Sequence, residues 1–149
     1  MAEVRAYHPQ APLVALTATA TVAVREDIVR HLLMHDCRVF IGSFLRPNLT
    51  YSVLHDGDKA TAMLRTVHRL GGSGIVYVRS RRLTQSVAQH LQSEGISATG
   101  YHAGMISAER DRRQALWMEG TCRVMVATNA FGMGIDKADV RYVIHLDIP

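Results

Sequence analysis

From Gly74 onward the chain alternates short, almost wholly apolar runs with segments of about a dozen residues whose apolar positions recur every three or four. A run that is apolar at every position is a strand buried on both faces, and a 3.6-residue stripe is a helix with one face to bury. Strands are therefore expected over Gly74–Val78, Ser97–Tyr101, Arg123–Thr128 and Tyr142–Leu146. Between them fall a helix carrying Leu83, Val87 and Leu91, capped by Ser80 and ended at Gly95, and a second helix that Ser107 caps and Gly120 stops after Trp117. This alternation predicts an α/β fold, a parallel sheet with helices on both faces.

Upstream, Leu13–Thr17 reads as a strand, and a helix with Val24, Ile28 and Leu32 on one stripe runs to Met34. Arg38–Gly42 and Leu49–Leu54 read as two more strands, separated by the Arg46-Pro47-Asn48 step. Asp56-Gly57-Asp58 then offers an N-cap to a helix with Met63, Leu64, Val67 and Leu70, which Gly71-Gly72 ends. The irregular Met1–Pro12 segment and the abrupt stop at Asp147-Ile148-Pro149 are expected of a chain cut from something larger. Residues 1–44 would then belong to one lobe and 45–149 to another.

With 149 residues, 48% hydrophobic and 20% charged, the chain has the means for one substantial core and is neither disordered nor a coiled coil. Its two cysteines, Cys37 and Cys122, have no CxxC or Cys/His spacing, which argues for a reducing compartment and against a zinc site. No apolar run approaches the ~20 residues of a membrane span, so a soluble, cytoplasmic protein is expected. Of the 17 basic residues only Lys59 and Lys137 are lysine, the rest being arginine. Guanidinium forks suit phosphates, although an arginine-rich genome would produce the same ratio.

In an open α/β sheet functional residues collect in the loops at the carboxyl ends of strands. Four such loops carry polar residues. The hydroxyls of Thr17, Thr19 and Thr21 cap a helix or hydrogen-bond a neighbouring lobe, capping being the commoner use. Arg79, Ser80, Arg81 and Arg82 place a hydroxyl and three guanidinium groups at a helix N-terminus, suited to a phosphate or simply a solvated basic turn. His102-Ala103-Gly104-Met105 holds a histidine with no partner carboxylate or second metal ligand, more often a structural hydrogen-bonder than a base. In Thr128-Asn129-Ala130-Phe131-Gly132-Met133-Gly134-Ile135-Asp136-Lys137 the glycines permit close backbone approach to a ligand, or an ordinary turn, and Asp136 can accept from a hydroxyl such as a ribose. No GxxxxGK[ST] loop, acidic pair after a strand, GxSxG or HExxH is present, so the chain cannot by itself be a complete nucleoside triphosphatase.

Read in order, Leu16-Thr17-Ala18-Thr19-Ala20, Ser43-Phe44-Leu45-Arg46-Pro47-Asn48-Leu49, Gly74-Ile75-Val76-Tyr77 with Ser80-Arg81, Gly100-Tyr101-His102-Ala103-Gly104, Val126-Ala127-Thr128-Asn129 through Lys137, and Val143-Ile144-His145-Leu146-Asp147-Ile148-Pro149 resemble the RecQ family of ATP-dependent DNA helicases, in superfamily two. The resemblance spans nearly the whole chain, and the FRPN-like step, YHAG and AFGMGIDK separate it from DEAD-box RNA helicases. It implies two RecA-like (P-loop NTPase-like) lobes that clamp ATP and Mg2+, and three-prime to five-prime translocation on single-stranded DNA with unwinding of partly duplex DNA, in repair and recombination. It further implies a bacterial-type, nucleoid-associated protein. Residues 1–44 would be the C-terminal part of the first lobe and 45–149 an incomplete second lobe.

By the same resemblance Thr17, Ala18 and Thr19 couple the lobes. Arg46, Asn48, Ser80, Arg81, His102, Gly104, Thr128 and Asn129 face DNA, and Gly132, Gly134 and Asp136 face the nucleotide and the lobe interface. No catalytic residue, metal ligand or zinc is expected within the chain, because the nucleotide-binding lysine, the magnesium-binding acids and the arginine finger of such enzymes fall outside it. The chain alone is thus expected to bind nucleic acid weakly and to hydrolyse no ATP. An RNA helicase lobe and a catalytically inactive nucleic-acid-binding α/β module are the alternatives.

Overall fold

The computed structural model describes residues 7, 11–34, 36–43, 45–55, 57–132 and 134–147. The expectations placed on Phe44, Asp56, Met133, Ile148, Pro149 and most of the first ten residues fall outside these. The chain divides into two compact units, Met1–Tyr51 and Ser52–Pro149, where the sequence had suggested a change of lobe at 44/45.

In the first unit, α1 spans Val22–His31. Thr21 is its N-cap, its Oγ1 accepting from the Val24 amide, and Arg30 and His31 lie in the last turn, where the helix dipole favours cations. The strands expected over 13–17, 38–42 and 49–54 are not formed among the described residues. Their sequences have strand propensity, but a strand exists only when its amides and carbonyls find a neighbouring ladder. Leu16, Phe40 and Tyr51 are accordingly exposed.

The second unit carries the sheet. Asp58 caps α2 (Lys59–Leu70), its Oδ1 accepting from the Ala60 and Thr61 amides at 3.1 Å each. Then follow β1 (Ser73–Tyr77), α3 (Arg81–Ser93), β2 (Ala98–Tyr101), α4 (Ser107–Met118), β3 (Val124–Ala127) and β4 (Val140–His145). Ser80 Oγ caps α3 by accepting from the Leu83 amide at 3.3 Å. Ser107, by contrast, is not a cap. The N-cap of α4 is Ile106, and Ser107 Oγ donates instead to Asp111 Oδ2 at 3.4 Å. The helix begins one residue early, and Glu109 supplies the first-turn negative charge.

The sheet order is β2-β3-β1-β4 with every pairing parallel. Successive residues of a strand face opposite sides, and each side has its own core. Val76, Val124 and Val126 pack with Met63 and Val67 of α2 and Ala88 and Leu91 of α3. Ile75, Met125 and Ala127 pack on the other face with Trp117 of α4, Tyr101 and Phe131. Trp117 is fully buried, and its indole Nε1 donates to the Gly74 carbonyl at 3.2 Å. Helices thus cover both faces of the central strands β1 and β3, as their apolar sequences required.

Candidate functional site

Parallel pairing brings the carboxyl ends of all four strands to one edge. Tyr101, Ala127, Tyr77 and His145 sit side by side in register, and a loop leaves from each of the first three. The ladder runs one residue further: the Thr128 amide donates to the Tyr101 carbonyl, Val78 to Ala127 and Leu146 to Tyr77. The polar residues singled out after β1, β2 and β3 are therefore brought onto one rim by the topology.

Ser80 and Arg81 open α3, and the Arg81 guanidinium lies against Gly104 of the neighbouring loop. A Cβ at Gly104 would stand 2.6 Å from Arg81 Nη1. Glycine here is what allows a guanidinium from one loop to cross the backbone of the next. His102 is half-buried, its carbonyl accepts from the Met105 amide, and its Nδ1 is buried without a hydrogen-bond partner. Thr128 is half-buried at the end of β3, and Asn129 is exposed.

Asn129 and Thr128 line an open groove of about 490 Å³ together with Tyr77, Arg79, His145 and Asp147. Asp147 accepts from Lys59 Nζ at 3.1 Å and stands 3.9 Å from Arg79 Nε. This pairing neutralises part of the basic turn, leaving Arg81 and Arg82 as its exposed, uncompensated charges in the described contacts. Exposed pairs of this kind contribute little to stability, so their effect is on local charge.

The glycine-spaced loop after β3 is anchored at two points. Phe131 is buried, edge-on to Tyr101 and Trp117 at centroid distances of 4.7 and 5.3 Å. Lys137 Nζ donates to the Met118 carbonyl at 3.0 Å, pairs with Asp139 at 2.6 Å and lies over the Trp117 ring. Lys137 and Ser73 together hold the Asp139 carboxyl below its ordinary range. Between the anchors Gly134 and Asp136 are exposed, and Gly132 adopts φ +122°, a conformation that strains any side chain. Neither Lys137 nor Tyr77, whose Oη donates to the Phe131 carbonyl, was given a role from the sequence. The signal available was the tyrosine closing an otherwise aliphatic strand and the single lysine of an arginine-rich half.

Thr17, Ala18, Thr19, Arg46 and Asn48 lie in the first unit, all exposed. Thr17 Oγ1 accepts from the Thr19 amide at 3.3 Å, and the Arg46 carbonyl accepts from the Leu49 amide at 2.9 Å, so both segments are local turns. Among the described residues no group of three or more His, Cys, Asp or Glu could hold a metal ion. No described helix is long and apolar enough to cross a membrane.

Residues 58–149, more than half of the chain, match the model of the helicase conserved C-terminal domain. The chain belongs to that helicase family. It is homologous to RecQ ATP-dependent DNA helicases, being 44% identical over 142 residues to the ATP-dependent DNA helicase RecQ of Pasteurella multocida, with 95% of this chain and 22% of that protein covered. The RecQ-like DNA helicase BLM of Xenopus laevis is 45% identical over 143 residues, covering 93% of this chain and 10% of the relative. The chain thus spans less than a quarter of the bacterial relative's length. Among solved structures, a complex of the S. cerevisiae protein Dbp5 with Gle1 and IP6 is similar in fold, with a TM-score of 0.76 and 24% identity over 99% of this chain and 38% of that one. The E. coli DEAD-box protein SrmB bound to RraA gives a TM-score of 0.56 at 28% identity, covering 61% of this chain and 54% of that chain. The parallel sheet and its helices are accordingly those of a RecA-like helicase C-terminal domain.

Proposed function

We propose that this chain is part of a three-prime to five-prime DNA helicase that couples ATP hydrolysis to translocation on single-stranded DNA. In this reading residues 1–44 end the first RecA-like lobe and 45–149 form most of the second. The observation that carries it is the crossing of Arg81 over Gly104, which joins two loops of the shared rim into one exposed cationic element. A motor that steps along any sequence must grip phosphates rather than base edges, and arginines, hydroxyls and backbone amides in strand-end loops are suited to that. Ser80 retains its hydroxyl hydrogen for a phosphate while its oxygen caps α3.

ATP with Mg2+ supplies the free energy of stepping when bound. Of this chain's residues, Gly132, Gly134 and Asp136 fit a nucleotide-facing role, since the two glycines keep the loop slim and the exposed Asp136 carboxylate can accept from a ribose hydroxyl. Thr17, Ala18 and Thr19 would transmit closure between lobes, and Arg46 and Asn48 would extend the DNA contact. A DNA-repair and recombination role and a cytoplasmic, nucleoid-associated location follow from the same reading.

The test is strand displacement and ATP hydrolysis by the intact gene product on duplexes with three-prime or five-prime overhangs. Unwinding from the three-prime overhang with DNA-stimulated hydrolysis is the expected result. Stimulation by RNA in preference to DNA would favour an RNA helicase, since 2′-hydroxyl contacts would then be deciding. Binding without hydrolysis would leave an inactive binding module. The 149-residue chain alone is expected to bind single-stranded DNA weakly and to hydrolyse no ATP.

A further inference from the structure

Tyr77 makes two side-chain contacts that its place in the β1–β4 ladder does not require, beside the backbone bond that the ladder supplies. Its Oη donates to the Phe131 carbonyl at 2.8 Å, at the base of the glycine-spaced loop. Its ring stacks on His145, the last residue of β4, at a centroid distance of 5.0 Å and an angle of 21°. Its own carbonyl accepts from the Leu146 amide at 3.1 Å. The next residue of the loop is shaped around the same hydroxyl: a Cβ at Gly132 would stand 2.5 Å from Tyr77 Oη. Burial pushes the Tyr77 phenol up from its ordinary value, so it remains a hydrogen-bond donor.

We propose that Tyr77 is a positioning residue that locks the loop after β3 to the end of β4, so that displacement of either is passed to the other. The loop has few other ties at this point. Phe131 fixes its root in the core and Lys137 its far end, but among the described contacts only the Tyr77 hydroxyl ties the loop's backbone at Phe131 to the end of β1, and the same ring's stack on His145 carries that tie to the end of β4. The consequence for a motor rests on the reading above, in which this loop faces nucleotide and β1's following turn faces DNA. Under that reading Tyr77 sets the geometry in which the two bound ligands sense each other.

Tyr77→Phe removes the hydroxyl while keeping the ring and its stack, so the variant is expected to fold. In the intact gene product the ratio of DNA-stimulated to DNA-free ATP hydrolysis should fall about tenfold, the size of effect that small misplacements of reacting groups produce, while the Kd for single-stranded DNA changes less than twofold. His145→Ala, which removes the stack, should shift the ratio in the same direction. An unchanged ratio in Tyr77→Phe overturns the proposal. If the unmodified protein shows no DNA-stimulated hydrolysis, the helicase reading fails by itself, and the lock is then decided by amide hydrogen exchange. The Phe131 and Ile135 amides, which bond to the Thr128 and Gly132 carbonyls, should exchange about fivefold faster in Tyr77→Phe, as loss of one hydrogen bond predicts. Unchanged protection at both amides overturns the lock, whatever the enzyme assay shows.

Discussion

Arg81 Nη1 lies 2.6 Å from the point where Gly104 would carry a Cβ, so the guanidinium occupies the space that an alanine would fill. The clash is with the far end of a long, exposed side chain, which swings away at little cost. Gly104→Ala is therefore expected to leave stability within about 0.5 kcal/mol and yet to weaken single-strand binding as Arg81→Ala does. For both variants the slope of log affinity against log salt should drop by about one phosphate contact, equally on all sequences. Fluorescence anisotropy over a salt series measures this, and a sequence-dependent loss would count against phosphate gripping.

Gly74 is the opposite case. Its Cβ would fall 2.0 Å from the Tyr142 ring, which lies over the glycine from the paired strand, and neither backbone nor buried ring can retreat. Gly74→Ala should destabilise the second unit by at least about 2 kcal/mol. Urea denaturation followed by tryptophan fluorescence would show the midpoint move, and an unshifted midpoint would mean that Tyr142 has another place to go.

Trp117 fills the core under the loop, and both Phe131 and Lys137 rest on it. Trp117→Ala should cost about 3–5 kcal/mol. Beyond that loss, the Lys137 and Phe131 anchors lose their support, so in the variant that still folds, proteolysis should cut near residues 131–137 before cutting elsewhere. Uniform cutting would show that the loop does not depend on the indole.

Hydrogen bonds from Arg112 and Arg113 hold the Glu109 carboxyl at about 2, below its ordinary 4.5. The folded-state value lies below the unfolded one, so this stabilisation is fully present above the ordinary glutamate range and is lost as pH falls through 4.5 toward 2. Glu109→Gln should flatten the acid limb of a Tm-against-pH curve over that window and leave its shape above pH 6 unchanged. A parallel downward shift at every pH would point to lost packing instead.

The second unit was legible in the sequence because its central strands β1 and β3 are almost wholly apolar, its helices carry one stripe, and Asp58, Ser80 and Gly95 punctuate them at cap positions. The first unit was not. Val14, Leu16, Val39 and Ile41 have strand-like chemistry, but pairing is a property of two segments, and one segment's sequence does not carry it. The rim residues after β1, β2 and β3 could be named individually, since polar groups at strand ends need only local pattern. That Arg81 crosses Gly104, or that Tyr77 reaches Phe131 fifty-four residues away, depends on the strand order β2-β3-β1-β4, which no local pattern encodes.

The two-sided core has a further consequence for how the chain finds its alignment. In a sheet with one wet face, a slip of one residue exposes oil and buries charge, and polarity rejects it. Here Val124 and Val126 face one layer while Met125 and Ala127 face the other, and both are dry. A slipped β3 would be as greasy as the correct one on either side. What distinguishes them is bulk: valines meet Leu91 and Val67 on one side, and on the other the small Ala127 leaves room for Phe131 and the indole. Alignment in this sheet is proofread by volume, so exchanging large and small residues along β3 should scramble it even when hydrophobicity is conserved.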